Sequence, residues 1–445
     1  MISKYRVVNT LRRLLFLLLL QYLYACSAVD TAATEPAFVG VENGRFTLAG
    51  RPYYFAGINF WHAAYLGRPG ADGDRDRLIT ELDLLATNNI TNLRVLAASE
   101  PGLSRALTPV IQPQPGMYNE TILQGLDFLL VEMAKRNMKA VIFLNNYWQW
   151  SGGMTSYVSW VTNDTVNDPD LDGDWDAYIT AAARFYPLPA AQTLYRAHIE
   201  HIVSRINTLS GVRYSDDPTI MSWQLANEPR TGTADNAEVF FPHFTSWIAD
   251  TAAFIRSLDD NHLISTGSEG AKGTADRMQW FIEAHQTPYI DYLTCHLWPK
   301  NWGWLDINAA AETYPQAVAN AVDYINAHID VARQLGKPLV LEEFGIERDN
   351  GDYRLSSTTV YRDRFLNKIL ELVAGSAGNG APLMGSNVWS WGGAARSGRA
   401  DFIWRPGDDL MGDPPQEPQG LNAIFDSDRS TLSILRSHGA VLQRF

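Results

Sequence analysis

Two glutamates stand out for the way the chain delivers them. In TIMSWQLANEPR, a β-branched and apolar run beginning at Thr219 ends in Asn227, Glu228 and Pro229. That pattern is a strand that presents an amide and a carboxyl at its C-terminal tip and then breaks. KPLVLEEFG repeats the device, with Glu343 before Phe344 and Gly345. Two carboxyls brought to one place suit the cleavage of a glycosidic bond, where one protonates the departing oxygen and the other attacks the sugar or activates water. Glu342 is the rival of Glu343. Adjacent strand side chains point to opposite sides, so only one of the two is expected to face a substrate.

The elements that must hold these groups follow from hydrophobic patterning. Strands are expected over 54–59, 91–96, 139–145, 219–226, 262–266, 291–296, 338–343 and 385–389, with helical patterns between them. Leu78, Ile79, Leu82 and Leu85 share one helix face behind Asp74, and Ile122, Leu126, Leu129, Leu130 and Met133 another behind Asn119. Further helices are expected near 192–208, 244–258, 276–286, 315–335, 358–374 and 430–443. Strand then helix, repeated eight times, predicts a single α/β domain, a (β/α)8 TIM barrel. A hairpin over 39–52 is expected to close its bottom. In such a barrel the chemistry sits at the C-terminal ends of the strands, and Glu228 ends the fourth and Glu343 the seventh.

The chain has 445 residues, 46% hydrophobic and 19% charged, enough to bury a large core. A formal charge of −13 argues against a polyanionic partner such as nucleic acid, which needs a basic patch. Of the 14 Trp, some pack the core, while those near strand ends, Trp61 and Trp148 among them, are candidate platforms for sugar rings. Cys295 lies in an apolar run and reads as a small packing residue.

The N-terminal residues form a separate segment. Lys4, Arg6, Arg12 and Arg13 precede an apolar stretch over 14–20, too short to span a membrane comfortably, and small residues lead to Cys26. This resembles a bacterial lipoprotein signal, which implies removal of residues 1–25 and lipidation of Cys26. An ordinary cleaved signal is the alternative; Arg12-Arg13 sits in a poor twin-arginine motif. Ser27, where an Asp would mean inner-membrane retention, points to the outer membrane or cell surface, with a periplasmic or secreted enzyme otherwise. Residues 26–36 read as a linker and 37–445 as the barrel domain, expected to be monomeric.

The motifs TNLRVLAASE, WQLANEPR, CHLWPKNW, LEEFG and NVWSW fall on the second, fourth, sixth, seventh and eighth strands. Together they resemble the glycoside hydrolases of family 5, and the likeness covers nearly all of the chain beyond the N-terminal segment. NNYWQWSGGM, WQLANEPR and HLWPKNW resemble the β-mannan-cleaving branch more than the cellulases. The resemblance implies a retaining hydrolase of β-1,4-mannosidic bonds, with Glu228 as acid/base, kept protonated by the neighbouring negative charge, and Glu343, which precedes an aromatic residue and Gly, as nucleophile. It implies Arg94 holding the nucleophile ionised, Asn227 on the sugar 2-OH, His296 contacting substrate and Trp389 beneath the ring. No cofactor or metal is implied. The family usually carries His-x-Tyr on strand six, where this chain has His296-Leu297-Trp298, so Trp298 either supports a carboxylate or lines the pocket. The partner is a β-mannan or mannooligosaccharide. An internally cutting enzyme is expected, with an exo-acting mannosidase as the alternative if the long loops over 155–189 or 394–419 close the cleft. A β-1,4-glucanase or a non-catalytic sugar-binding lipoprotein fits less well.

Asp168, Asp170, Asp172 and Gly173 match the first half of a calcium loop, but Ile179 stands where the bidentate Glu belongs, so a solvated acidic loop is the expected reading and a structural calcium site the lesser one. Glu100 and Glu269 read as subsite or hydrogen-bonding groups.

Overall fold

The computed structural model describes residues 37–445; the expected signal, Cys26 and the linker to residue 36 lie outside the described residues. A small antiparallel sheet comes first: β1 (Val39–Glu42), β2 (Arg45–Leu48) and β3 (Arg51–Pro52). Its first turn is Asn43-Gly44, both at positive φ as a tight hairpin of matching twist requires. Phe46 packs with Phe55, Met221, Tyr292 and Met384, so the sheet plugs the N-terminal end of the barrel as the hairpin was expected to do.

The barrel strands are β4 (Phe55–Asn59), β5 (Asn92–Leu96), β6 (Lys139–Phe143), β7 (Ile220–Gln224), β8 (Leu263–Ser265), β9 (Leu293–Leu297), β10 (Leu339–Phe344) and β11 (Leu383–Val388). All eight fall at the expected places. They pair in parallel in the order β8, β7, β6, β5, β4, β11, β10, β9. Main-chain bonds from Asp291 to Ile264 (2.9 Å) and from His296 to the carbonyl of Glu269 (3.1 Å) bridge the remaining seam between β8 and β9. Every residue of these strands except Lys139 is buried, as a parallel sheet covered on both faces requires.

Asp74 and Asn119 cap their helices through the backbone N–H of Arg77 and Thr121. The helices expected from 244 and 315 begin earlier, at Ala237 and Ala310, and carry Pro242 and Pro315 within them. Near a helix start a proline removes one ladder bond without ending the helix, which is why the pattern alone starts each one late.

The two long connections differ in kind. Much of 155–189, expected as loop, is folded into short helices at Met154–Thr162, Pro169–Asp172 and Trp175–Ala183. The acidic run there supplies turns and caps: Asp168 accepts from the backbone of Asp170 and Ser104, Asp170 from Gln149, and Asp174 from the backbone of Ala177. Asp172 accepts from the backbone of Asp174, so Asp168, Asp170 and Asp172 are occupied separately, and they are not among the described residues whose ligand atoms gather around one point.

The 394–419 loop is irregular but tied down. Asp413 accepts from the backbone N–H of Gly420 (2.7 Å) and Asn422 (2.8 Å), and the Gln419 amide donates to the carbonyls of Asp413, Pro414 and Glu417. At its base, buried Asp428 pairs with Arg348 and Arg362 at 2.6 and 2.8 Å.

Candidate active site

The catalytic-type residues gather where β7 and β10 open at the C-terminal mouth of the barrel. Glu228 follows β7 after three residues that keep bonding along the strand direction, Leu225 N–H to Ser265, Ala226 N–H to Thr266 and Asn227 N–H to Asn145, and its own N–H goes to Gly267. Its φ is +48°, in the left-handed region that a glutamate avoids at a cost of roughly 1–3 kcal/mol. The flanking bonds hold it there, turning the side chain over the mouth. Glu343 sits within β10, and an oxygen of each carboxyl lies within 4.8 Å of the other and of a ring nitrogen of His296.

Arg94 on β5 anchors the cluster from below. It is fully buried, pairs through Nη1 with Glu343 Oε1, and donates to Gln224 (2.8 Å), Asn59 (3.1 Å) and Asn227 (2.7 Å). Its guanidinium also lies over the Phe143 ring at 4.7 Å. Glu342 reaches the same guanidinium, at 3.4 Å, and accepts from Gln224. Strand alternation predicts that Glu342 and Glu343 point apart. A register shift between Leu341 and Glu343 along the β9 pairing breaks that alternation, and both side chains reach Arg94 and His296. Only Glu343 lines the cavity.

Three donors converge on Glu228: His296 Nδ1 (2.7 Å) and Trp298 Nε1 (3.2 Å) on Oε1, and Trp148 Nε1 (2.6 Å) on Oε2. Burial would raise its pKa, but the hydrogen bond and charge of His296, helped by Arg230 and Trp148, bring it down to about 2. His296 is itself carried up to about 10, because Glu343 and the bonds to Glu228 and Glu342 outweigh its burial. Glu343 is pushed up to about 7 by burial, against the pull of His296 and Arg94. The proton expected on Glu228 is therefore favoured on the His296 side of their hydrogen bond, since each side chain hydrogen-bonded to Glu228 presents a donor. The three groups titrate as a unit.

The cavity over these residues measures about 700 Å³. Asn227, Trp148, Trp298 and Trp389 line it as expected for substrate-binding groups. Asn227 gives its oxygen to Arg94 and one amide hydrogen to Asn146 (3.2 Å), which leaves a donor for a sugar hydroxyl. Trp298 both lines the pocket and supports a carboxylate, and the carboxylate is that of Glu228. Its ring stands edge-on to Trp389 at 6.0 Å.

Arg94 lies wholly buried beneath the cavity against Glu343, the carboxylate it was expected to hold, and does not line the cavity itself. Two expected substrate contacts are corrected. His296 is wholly buried beneath the cavity and meets the carboxylates. Trp61 is also buried away from the cavity; it packs on Trp150 at 5.1 Å and donates to the carbonyl of Gly412, bracing the 394–419 loop. Cys295 is buried, as its packing role requires. Glu100 is likewise buried off the cavity, bonded to the backbone of Gly153 and to Tyr157, whereas Glu269 lines it.

Several lining residues escape sequence reasoning: Arg230, Trp175, Trp302, and above all Gln416 and Glu417 from the 394–419 loop. Glu417 is half-buried, with Oε2 shielded from solvent and lacking a hydrogen-bond partner, and desolvation pushes its pKa up to about 8. Its one sequence signal is the stiff PPQEP setting in a long βα connection, where a fixed polar residue is poised to serve a ligand. Among the described residues, the group close enough to share a metal ion is Glu228, His296 and Glu343. His296 Nδ1 lies 2.7 Å from Glu228 Oε1 and 3.4 Å from Glu343 Oε2, so the imidazole already occupies the place between the carboxyls.

A buried carboxylate pair under a tryptophan-lined cavity at the mouth of a (β/α)8 barrel is the arrangement of the barrel glycosidases. The chain belongs to glycoside hydrolase family 5: a model described as "GH family 5 beta-mannosidase-like" matches residues 36–445. It is 32% identical over 366 residues to mannan endo-1,4-beta-mannosidase 1 of Solanum lycopersicum, covering 79% of this chain and 83% of that protein. With putative mannan endo-1,4-beta-mannosidase 4 of Arabidopsis thaliana it shares 30% identity, covering 96% of each. The crystal structure of a family 5 mannosidase from Rhizomucor miehei superposes with a TM-score of 0.83 at 35% identity, over 92% of this chain and 98% of that one. The protein is thus a glycoside hydrolase.

Replacing His296 should narrow the pH range of activity from both sides. A Glu343 that serves as nucleophile must be ionised, so activity falls as pH drops through its pKa; without the His296 charge that pKa rises and the acid limb moves up. The proton of the Glu228–His296 pair is lost at high pH, and without the imidazole it leaves a simple carboxyl at lower pH, so the alkaline limb moves down. Profiles of kcat/KM against pH for wild type and His296→Ala check this, and an alkaline limb that stays in place would refute it.

Proposed function

We propose that this enzyme hydrolyses β-1,4-mannosidic bonds of mannan or its oligosaccharides with retention of configuration, Glu343 acting as nucleophile and Glu228 as acid/base. The observation that carries the mechanism is the approach of the two carboxyls to within 4.8 Å. Retaining enzymes hold theirs about 5–5.5 Å apart, whereas inverting ones need roughly 6.5–9.5 Å to admit a water. The family match and the mannan-directed names of the relatives support the substrate.

Glu343, held by Arg94, attacks the anomeric carbon from one side of the ring while the Glu228–His296 pair delivers its proton to the departing oxygen. A covalent glycosyl-enzyme forms. With the negative charge of Glu343 consumed in that bond, Glu228 accepts a proton from water as the water attacks the anomeric carbon, and the bond to Glu343 breaks to release its carboxylate. The free donor of Asn227 suits the sugar 2-OH, and Trp389 offers a face beneath the ring. Glu343→Gln should lose activity on the order of 10³-fold or more, while Glu342→Gln, which keeps the nucleophile in the cavity, should lose far less. Comparable losses in the two variants would reject the assignment.

Internal cleavage is the reading supported by the names of the curated relatives. Exo-action is a second reading with an observation of its own: Trp175 from the 155–189 segment and Gln416 and Glu417 from the tethered 394–419 loop both stand at the cavity wall. A wall limits the number of sugars that fit beyond the scission point. Following viscosity and released sugars on mannan separates the readings. Early loss of viscosity marks internal cutting, and mannose as the dominant early product marks an enzyme of chain ends.

The N-terminal pattern supports export and a lipid anchor at Cys26. No helix among the described residues is long and apolar enough to cross a membrane. Cys26→Ser should move the enzyme from the membrane fraction to the soluble fraction and abolish incorporation of labelled palmitate; unchanged fractionation would contradict the anchor.

A further inference from the structure

Trp148 makes the shortest indole contact in the site, 2.6 Å from Nε1 to Glu228 Oε2, yet it stands on an irregular segment after β6. Something must fix its ring. Arg230, two residues past Glu228, lays its guanidinium over the Trp148 ring at 4.7 Å. The guanidinium is held in turn by Glu269, with Nε 2.7 Å from Oε1 and Nη2 donating to Oε2 at 3.0 Å. Glu269 is a firm anchor because its own carbonyl accepts from the Tyr324 hydroxyl (2.7 Å) and the His296 N–H (3.1 Å). On the arginine side, Thr231 N–H bonds to the carbonyl of Gly273 at 3.0 Å.

We propose that Arg230, locked by Glu269, is a positioning residue for proton transfer, acting through Trp148 to aim the carboxyl of Glu228 at the leaving oxygen. The inference rests on the reading of Glu228 as acid/base. A flat guanidinium on an indole face restrains the ring's tilt, and a second tether to Glu269 keeps the guanidinium flat. With the clamp released, the indole no longer holds Oε2, and Glu228 is free to rotate about the single contact side of Oε1. The chemistry that suffers is protonation of the leaving group. Attack by Glu343, on the Arg94 side, is untouched.

That separation defines the test. Values of kcat/KM, which report the first displacement, are measured on aryl β-mannosides of equal size but different leaving-group acidity, for wild type, Arg230→Met, Arg230→Lys, Trp148→Phe, Glu228→Ala and the Arg230→Met/Trp148→Phe double variant. Loss of a hydrogen bond to a charged group corresponds to about a ten- to hundredfold decrease, expected for Arg230→Met on the poorest leaving groups and shrinking toward none on 2,4-dinitrophenyl mannoside. Arg230→Lys, which keeps the charge but not the planar fork, should show the same trend. Trp148→Phe should match Arg230→Met, and the double variant should be no worse than either single one, because both break one chain of contacts.

Losses that are equal across the leaving groups, or that add in the double variant, would overturn the clamp and make Arg230 an ordinary substrate-contacting residue. Thermal melts identify a variant that fails to fold, in which case Arg230→Lys and Glu269→Gln carry the comparison. If Glu228→Ala itself shows no dependence on the leaving group, the acid/base reading has failed; if Glu228→Ala shows it and the Arg230 variants do not, only the clamp has failed.

Discussion

The site depends on one buried charge. Arg94 has no access to solvent, and its guanidinium contacts Glu343, Glu342, Gln224, Asn59 and Asn227, side chains from or just beyond β10, β7 and β4. Breaking a buried ion pair by removing one partner commonly costs about 3–5 kcal/mol, because the other charge is left stranded. The barrel avoids that cost only when these strands keep their mutual register. The geometry of Glu343 and the closure of the barrel mouth are in this sense one interaction, and the shift in β10 that lets Glu342 and Glu343 both reach inward belongs to it.

Above that layer the electrostatics divide by side. Glu343 has a cation beneath it, while Glu228 is surrounded by donors from His296, Trp298 and Trp148. A carboxylate ringed by donors favours the proton on its neighbour, so Glu228 and His296 form one titrating pair. The replacement of the family's usual tyrosine by Trp298 fits this division: an indole N–H donates and never accepts, and it adds to the donor set of Glu228.

The cavity's walls are built to be stiff. Asp413, the Gln419 amide and the prolines at 414, 415 and 418 fix the 394–419 loop, and Trp61 braces it from the end of β4. The opposite segment is stiffened by helices whose capping groups are the aspartates of the acidic run. Rigid walls present side chains such as Glu417 without the entropy loss of ordering a mobile loop around substrate.

The eight strands, their order and the two strand-end glutamates were legible in the sequence because each is a local signal: an apolar run, then a break carrying a carboxyl. Helix starts were less so, since Pro242 and Pro315 mask them. The sequence by itself determined the barrel and the two strand ends that bring Glu228 and Glu343 together at its mouth. Tertiary structure decided the rest. That Arg94 and His296 lie beneath the carboxylates, that Trp61 braces a loop, that the aspartates cap helices, and that Glu417 and Arg230 reach the cavity all depend on contacts between residues far apart in the chain. Spacing along one strand says which way a side chain points, but which distant partner meets it is fixed only when the strands close into a barrel and the loops pack across its mouth.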